Sequence, residues 1–173
     1  MKPGQLRFPL RIPFVEELGL ELWAFGHGHA ELRVNLAEAH FNSWAVAHGG
    51  VVMTMLDVAM AHAARSDSVA SKDTARSHGK EDTAALDHGP GVVTVEMKTT
   101  FMRPAEGKLR AVGRLQHRTA TMAFTEGSLF NAADELCAHA TGTFKFVRAL
   151  PTTGRKAKTL QMAQPDTANQ DPP

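Results

Sequence analysis

From residue 92 to residue 147, apolar and polar side chains alternate in short runs broken by turn residues. That is the pattern of strands with one buried face. In VVTVEMKTTFM (92–102), Val93, Val95, Met97 and Phe101 fall on one face and Thr94, Glu96, Lys98 and Thr100 on the other. The turn RPAEGK leads into LRAVGRLQHR (109–118), and residues 119–121 turn into MAFTEGSLFN. After AADE comes LCAHATGTFKFV (136–147). Spacing this short predicts a meander of antiparallel strands. Upstream, LELWAF and AELRVNL flank GHGH (26–29), which predicts a hairpin. PFVEELG (13–19) has Pro at a first helical position, acids in its first turn and Gly at its end, so it predicts a short helix.

One stretch has a different period. From Gly49 to about Arg65 the chain is rich in Val, Met, Leu and Ala, and nearly free of charge, which predicts a helix wrapped by other structure. The next residues, 66–90, turn polar without periodicity and read as a long loop insertion. The whole is an α+β arrangement: a curved antiparallel sheet around one long central helix. A small sheet cannot cover a helix on every side, so a second copy of the chain is expected to cover the rest. Residues 1–13 read as an N-terminal extension, 14–148 as the domain, and 149–173 as a disordered tail.

Composition narrows the function. With 19 basic against 18 acidic residues in 173, nothing marks a nucleic-acid or membrane footprint. The cluster Arg155, Lys156 and Lys158 belongs to the expected tail. The single cysteine, Cys137, permits no intrachain disulfide and falls in a strand-like run, so it reads as a core residue in a reducing compartment. The N-terminus lacks a secretory core, and no apolar run nears the roughly 20 residues of a membrane span. A soluble, cytoplasmic protein is expected. His27 and His29 have no further ligand at a metal-site spacing and read as a surface turn, so no metal site is assigned.

The apolar helix carries one acid, Asp57, eight residues past Gly49. Two readings fit it. Asp57 can lie on a thin polar stripe with Thr54 and Arg65, paired with a surface cation. Alternatively, poor solvation raises its basicity while the free amides near Gly49 stabilise an oxyanion, the two parts acyl transfer needs. Gly49 and Gly50 can equally be a tight turn, and His40, Asn42 and His48 caps. Eight helical residues rise about 12 Å, too far for one carbonyl to touch both groups of one chain. Two helices antiparallel across a two-fold axis would bring Gly49 of one chain to Asp57 of the other.

HFNSWAVAHGGVVMTMLDVA (40–59) resembles the H-x-N, H-G-G and D signature of the hotdog-fold acyl-CoA thioesterases of the phenylacetate-degradation (PaaI-like) type. VVTVEMKTTFMRPAEGKLRAVGRL resembles that family's second signature, and the likeness spans roughly residues 14–148. The resemblance implies a hotdog fold and hydrolysis of an aryl- or medium-chain acyl-CoA, with coenzyme A part of the substrate and no separate cofactor. It implies Gly49 as amide donor to the thioester carbonyl, Asp57 as nucleophile or general base, Asn42 and His48 near the thioester, and Thr94 as the hydroxyl that orients water. It implies a dimer, or a dimer of dimers, with the site at the subunit interface. Arg118, Thr119, Arg103 and Gly50 are the candidate coenzyme A contacts, each also readable as a turn residue. Many members carry Gly where this chain has Ala45. A non-catalytic acyl-CoA binder or sensor on the same fold is the alternative; a hotdog hydratase would need an Asp/His pair the sequence does not display.

Overall fold

The computed structural model describes residues 1–73 and 90–147, with side chains through residue 66 in the first stretch. The expected tail, and the rest of the expected insertion from residue 74 to residue 89, lie outside the described residues. Helix α1 (Pro13–Glu17) starts on its proline, and the chain leaves it through Gly19 at φ +62°. Strands β1 (Glu21–Gly26) and β2 (His29–Asn35) form the expected hairpin. Its two central residues, His27 and Gly28, both have positive φ, the backbone that a two-residue hairpin turn requires.

Helix α2 (Gly49–Asp73) runs eight residues further than its apolar pattern predicts. Residues 66–73 lose the hydrophobic period, yet contain neither Gly nor Pro, and a helix once nucleated propagates at little cost. The start of the expected loop is therefore helical.

Strands β3 (Gly91–Phe101), β4 (Lys108–Arg118), β5 (Met122–Phe130) and β6 (Leu136–Val147) complete a six-stranded antiparallel sheet in the order β1-β2-β4-β5-β6-β3. Only β4-β5-β6 is a meander. β3 pairs with β6 instead of β4, so the chain crosses from the edge of the sheet to its centre through RPAEG. The concave face packs Leu22, Leu32, Leu109, Leu129 and Phe144 against Met55, Leu56, Ala59 and Met60 of α2. The helix lies so close over β4 that a Cβ at Gly113 would collide with the carbonyl of Ala59.

β3 departs from the simple alternation. Its register against β6 jumps between Thr94 and Glu96, leaving Val95 as a bulge. A bulge reverses the face of everything beyond it. Thr94 therefore faces the helix, not the outer polar face, while Val95 is 56% exposed. Beyond the bulge Met97 again packs on the core.

Candidate active site

The start of α2 is built by the preceding loop. Asn42 Oδ1 accepts the amides of Trp44 (2.8 Å) and Val46 (3.4 Å), and the Asn42 amide donates to Val46 O (2.9 Å). Asn42 thus holds its own loop in shape, an Asx turn with a backbone closure. Ala45 sits in that loop at φ +58°, a conformation that favours glycine. This is the position where many members of the resembling family carry Gly.

His48 caps the helix. Its carbonyl accepts the amides of Val51 (2.9 Å) and Val52 (3.2 Å), and its Nδ1 accepts the Gly50 amide (2.9 Å). An accepting Nδ1 leaves the ring proton on Nε2. With those three amides engaged, the Gly49 N–H is the first-turn amide without a partner among the described residues. It points its partial positive charge into the opening of the helix. The Gly50 amide, a candidate coenzyme A contact, is already satisfied inside the chain.

Two cavities of about 280 Å³ flank this helix. The first adjoins Gly49 and is lined also by Asn42, Phe101 and Arg103. Arg103 is exposed there and donates to Leu136 O (2.9 Å). The second contains Asp57 and Thr94. Asp57 is half-buried, and the Thr94 hydroxyl donates to its Oδ1 at 2.8 Å. The carboxylate is thus held by a hydroxyl, where the polar-stripe reading expected a surface cation. Arg65, one of the two other members of the expected polar stripe, is 3% exposed rather than solvated. Burial raises the Asp57 carboxyl above the ordinary carboxylate value, and the Thr94 hydrogen bond opposes part of that rise. The result is a carboxylate more basic than one in water, with one oxygen fixed in direction.

Of the expected residues, the structure brings Gly49, Asn42 and Arg103 to one cavity and Asp57 and Thr94 to the other. Arg118 and Thr119 line neither. The Arg118 guanidinium lies 4.7 Å from the centroid of Phe146, and Thr119 Oγ1 closes the β4–β5 turn by accepting the amides of Thr121 (3.3 Å) and Met122 (3.0 Å). Residues 10–12 of the supposed extension line the Asp57 cavity, which the sequence reading missed. Only the apolar Leu10 and Ile12 beside α1 could have signalled it.

The open side of α2 faces the edge strand β3. Trp44 (84% exposed) and Met53, near the start of α2, and Val95 and Phe101 of β3 are exposed large apolar side chains. Isolated exposed apolar residues need no explanation, but several on one helix end and the adjoining sheet edge mark an interaction surface.

A curved six-stranded sheet around one long helix, with a basic carboxylate midway and an unmatched amide at its start, defines a hotdog fold of thioesterase type. The thioesterase superfamily model matches residues 45–138, and the chain belongs to that superfamily, as a thioester hydrolase. The chain is 26% identical over 132 residues to SSO1253 of Saccharolobus solfataricus, a provisional esterase, covering 76% of this chain and 75% of that one. Among solved structures it is similar to PA5202 of Pseudomonas aeruginosa, with 28% identity, 82% and 98% of the two chains covered and a TM-score of 0.66. PaaI of the E. coli phenylacetic acid degradation operon shares the fold at 17% identity, with 79% and 86% coverage and a TM-score of 0.64.

Proposed function

We propose that this protein hydrolyses the thioester of an aryl- or medium-chain acyl-CoA, in a site shared between two copies of the chain. The observation that carries the reading is the half-buried Asp57 carboxylate, raised in basicity and held by Thr94. A carboxylate in poor solvent costs stability, and its retention in the apolar first part of that helix accords with a chemical task. Along α2, Gly49 and Asp57 of one chain stand about 12 Å apart. A carbonyl held by the Gly49 amide therefore meets the Asp57 of a second chain whose helix runs antiparallel to the first. The apolar side chains at the start of α2 and along β3 supply a surface for that pairing.

In this mechanism Asp57 accepts a proton as water attacks the thioester carbon, or attacks that carbon itself to give an acyl anhydride that water then hydrolyses, freeing the acid and a proton. The Gly49 amide stabilises the negative oxygen of the tetrahedral species. Collapse of that species breaks the C–S bond, and the proton ends on the departing coenzyme A sulfur. Coenzyme A belongs to the substrate and no further cofactor takes part. Arg103, exposed beside the Gly49 cavity, is the better placed of the candidate phosphate contacts. Arg118 and Thr119 make their own contacts away from both cavities. A cytoplasmic setting accords with such a substrate. Among the described residues no helix is long and apolar enough to cross a membrane.

Asp57→Asn should lose at least 100-fold in turnover of phenylacetyl- or octanoyl-CoA, read as release of free thiol. Wild-type rates in Asp57→Asn with the chain folded would reject the reading; bound but unhydrolysed esters in the wild type would favour the binder. Mixing decides whether the site is shared. Gly49→Pro lacks the amide, and Asp57→Asn lacks the base, so each homodimer is inactive. A mixed dimer pairs the intact Gly49 of one chain with the intact Asp57 of the other. Random reassembly of equal amounts then restores about a quarter of wild-type activity. A mixture no more active than its components would place the site within one chain.

A further inference from the structure

We infer that the N-terminal segment holds the phosphates of coenzyme A, with Arg7 and Arg11 as the anion contacts, and that the coenzyme arm leaves Asp57 past this segment. This rests on the thioesterase reading and adds to it the surface that recognises the charged half of the substrate.

Two cavities meet at Leu10 and Arg11. Both residues line the cavity that contains Asp57, and both line a second cavity of about 580 Å³, built from residues 1–11 and Glu16 of α1. Leu10 is 5% exposed, whereas Arg11 is exposed, so the junction carries an apolar side chain inward and a cation outward. Arg7, also exposed, lines the outer cavity with it. In a shared site these arginines belong to the chain that supplies Asp57.

The charges favour an anion. The inner cavity sets Arg11 and the buried Arg65 against Asp57. Burial lowers the Arg65 pKa to about 10, so its charge persists at pH 7. The outer cavity sets Arg7 and Arg11 against Glu16. Glu16 is a weak competitor: Arg11 Nε lies 3.7 Å from its Oε2, beyond hydrogen-bond reach, and both side chains are about half exposed. A phosphate offers a guanidinium two parallel acceptors and displaces such a pair readily.

The segment is ordered before any ligand arrives. The Leu6 amide donates to Leu22 O at 2.8 Å, and the Phe8 ring packs edge-on against His62 with centroids 5.4 Å apart. The arginines thus project from fixed backbone, which spares the ligand the cost of ordering it. Leu6 and Phe8 line the outer cavity between them, an apolar wall for the uncharged part of the arm or for the adenine. A base at one end, guanidinium groups at the other and apolar surface between them match a thioester on a long arm that ends in phosphates.

The test compares kcat/KM of the full-length protein on octanoyl-CoA and on the octanoyl thioester of N-acetylcysteamine, which lacks the phosphates. In the double variant Arg7→Gln/Arg11→Gln the ratio of the two should fall about ten-fold, and Arg7→Lys/Arg11→Lys should restore most of it. Adenosine 3′,5′-bisphosphate should inhibit the wild type on octanoyl-CoA and inhibit the glutamine variant more weakly. A ratio unchanged in the glutamine variant overturns the proposal, as does a ratio lowered by Arg103→Gln alone. Inorganic phosphate inhibiting as strongly as the bisphosphate overturns it too, since the arginines then read charge without the nucleotide. If the wild type hydrolyses neither ester, the hydrolytic reading fails separately. Calorimetric binding of coenzyme A then tests the arginines, and equal affinity in wild type and glutamine variant overturns their role.

Discussion

Replacing Thr94 with Val keeps the volume of the side chain and removes one hydrogen bond, the 2.8 Å donation to Asp57 Oδ1. That bond stabilises the charged carboxylate, so its loss raises the Asp57 pKa further above the value that burial already raises. A hydrogen bond to a charged group contributes about 1.5–3 kcal/mol, and the exposed position of Thr94 puts this one near the lower figure. That corresponds to about one pH unit. Asp57 must be ionised to act, so activity falls as pH drops through its pKa. In Thr94→Val the acid limb of kcat/KM should therefore move up by about one unit, with Thr94→Ser close to wild type. The measurement is thiol release from one acyl-CoA between pH 4 and pH 9. An acid limb that stays in place, or moves down, would refute the account of Asp57. A uniform drop at every pH would show that Thr94 orients water without tuning the base.

Gly49→Pro removes only the amide donor, since proline fits a first helical position, and should lower kcat 100- to 1,000-fold with helicity unchanged by circular dichroism. Asp57→Asn should be more stable than wild type at pH 7 by about 1 kcal/mol in urea unfolding. The folded-state pKa of Asp57 is raised, so that advantage is full above it and vanishes below the unfolded value, when both states are protonated. Ala45→Gly should relieve the φ +58° backbone and stabilise by about 0.5–1 kcal/mol, the left-handed strain less the entropy glycine adds to the unfolded chain. Gly113→Ala drives a methyl into the Ala59 carbonyl and should destabilise by about 3 kcal/mol or more, visible as a lower melting temperature.

The elements were legible because each carries a local signal. Alternation marked the strands, an uncharged apolar run marked α2, and Pro13 and Gly19 bracketed α1. What escaped the pattern has no local signal. The bulge at Val95 is set by pairing with β6, and nothing in VVTVEM announces a skipped residue. The expectation that Thr94 is a site residue agrees with its contact to Asp57, but the face assigned to it was wrong. Strand order was likewise unreadable: β3 and β4 are joined by a short turn, yet β3 pairs with β6. Residues 1–13 read as an extension because they carry no hydrophobic period, although irregular backbone can still wall a cavity.

The bulge and the apolar helix solve one problem together. A strand with unbroken alternation would turn Thr94 outward and take its hydroxyl away from Asp57. With the bulge, an edge strand delivers a hydroxyl to the helix at the level of the carboxylate and then returns Met97 to the core. The edge position matters as much. A central strand would cover Asp57 with a second neighbour and bury it beyond the reach of substrate. At the edge, the carboxylate is desolvated enough to gain basicity while one side stays open. Met53 of the same helix and Val95 and Phe101 of the same strand are also left exposed. On the proposed reading, the side of the helix that admits the substrate is also the side a second copy would cover, because one sheet leaves it unenclosed.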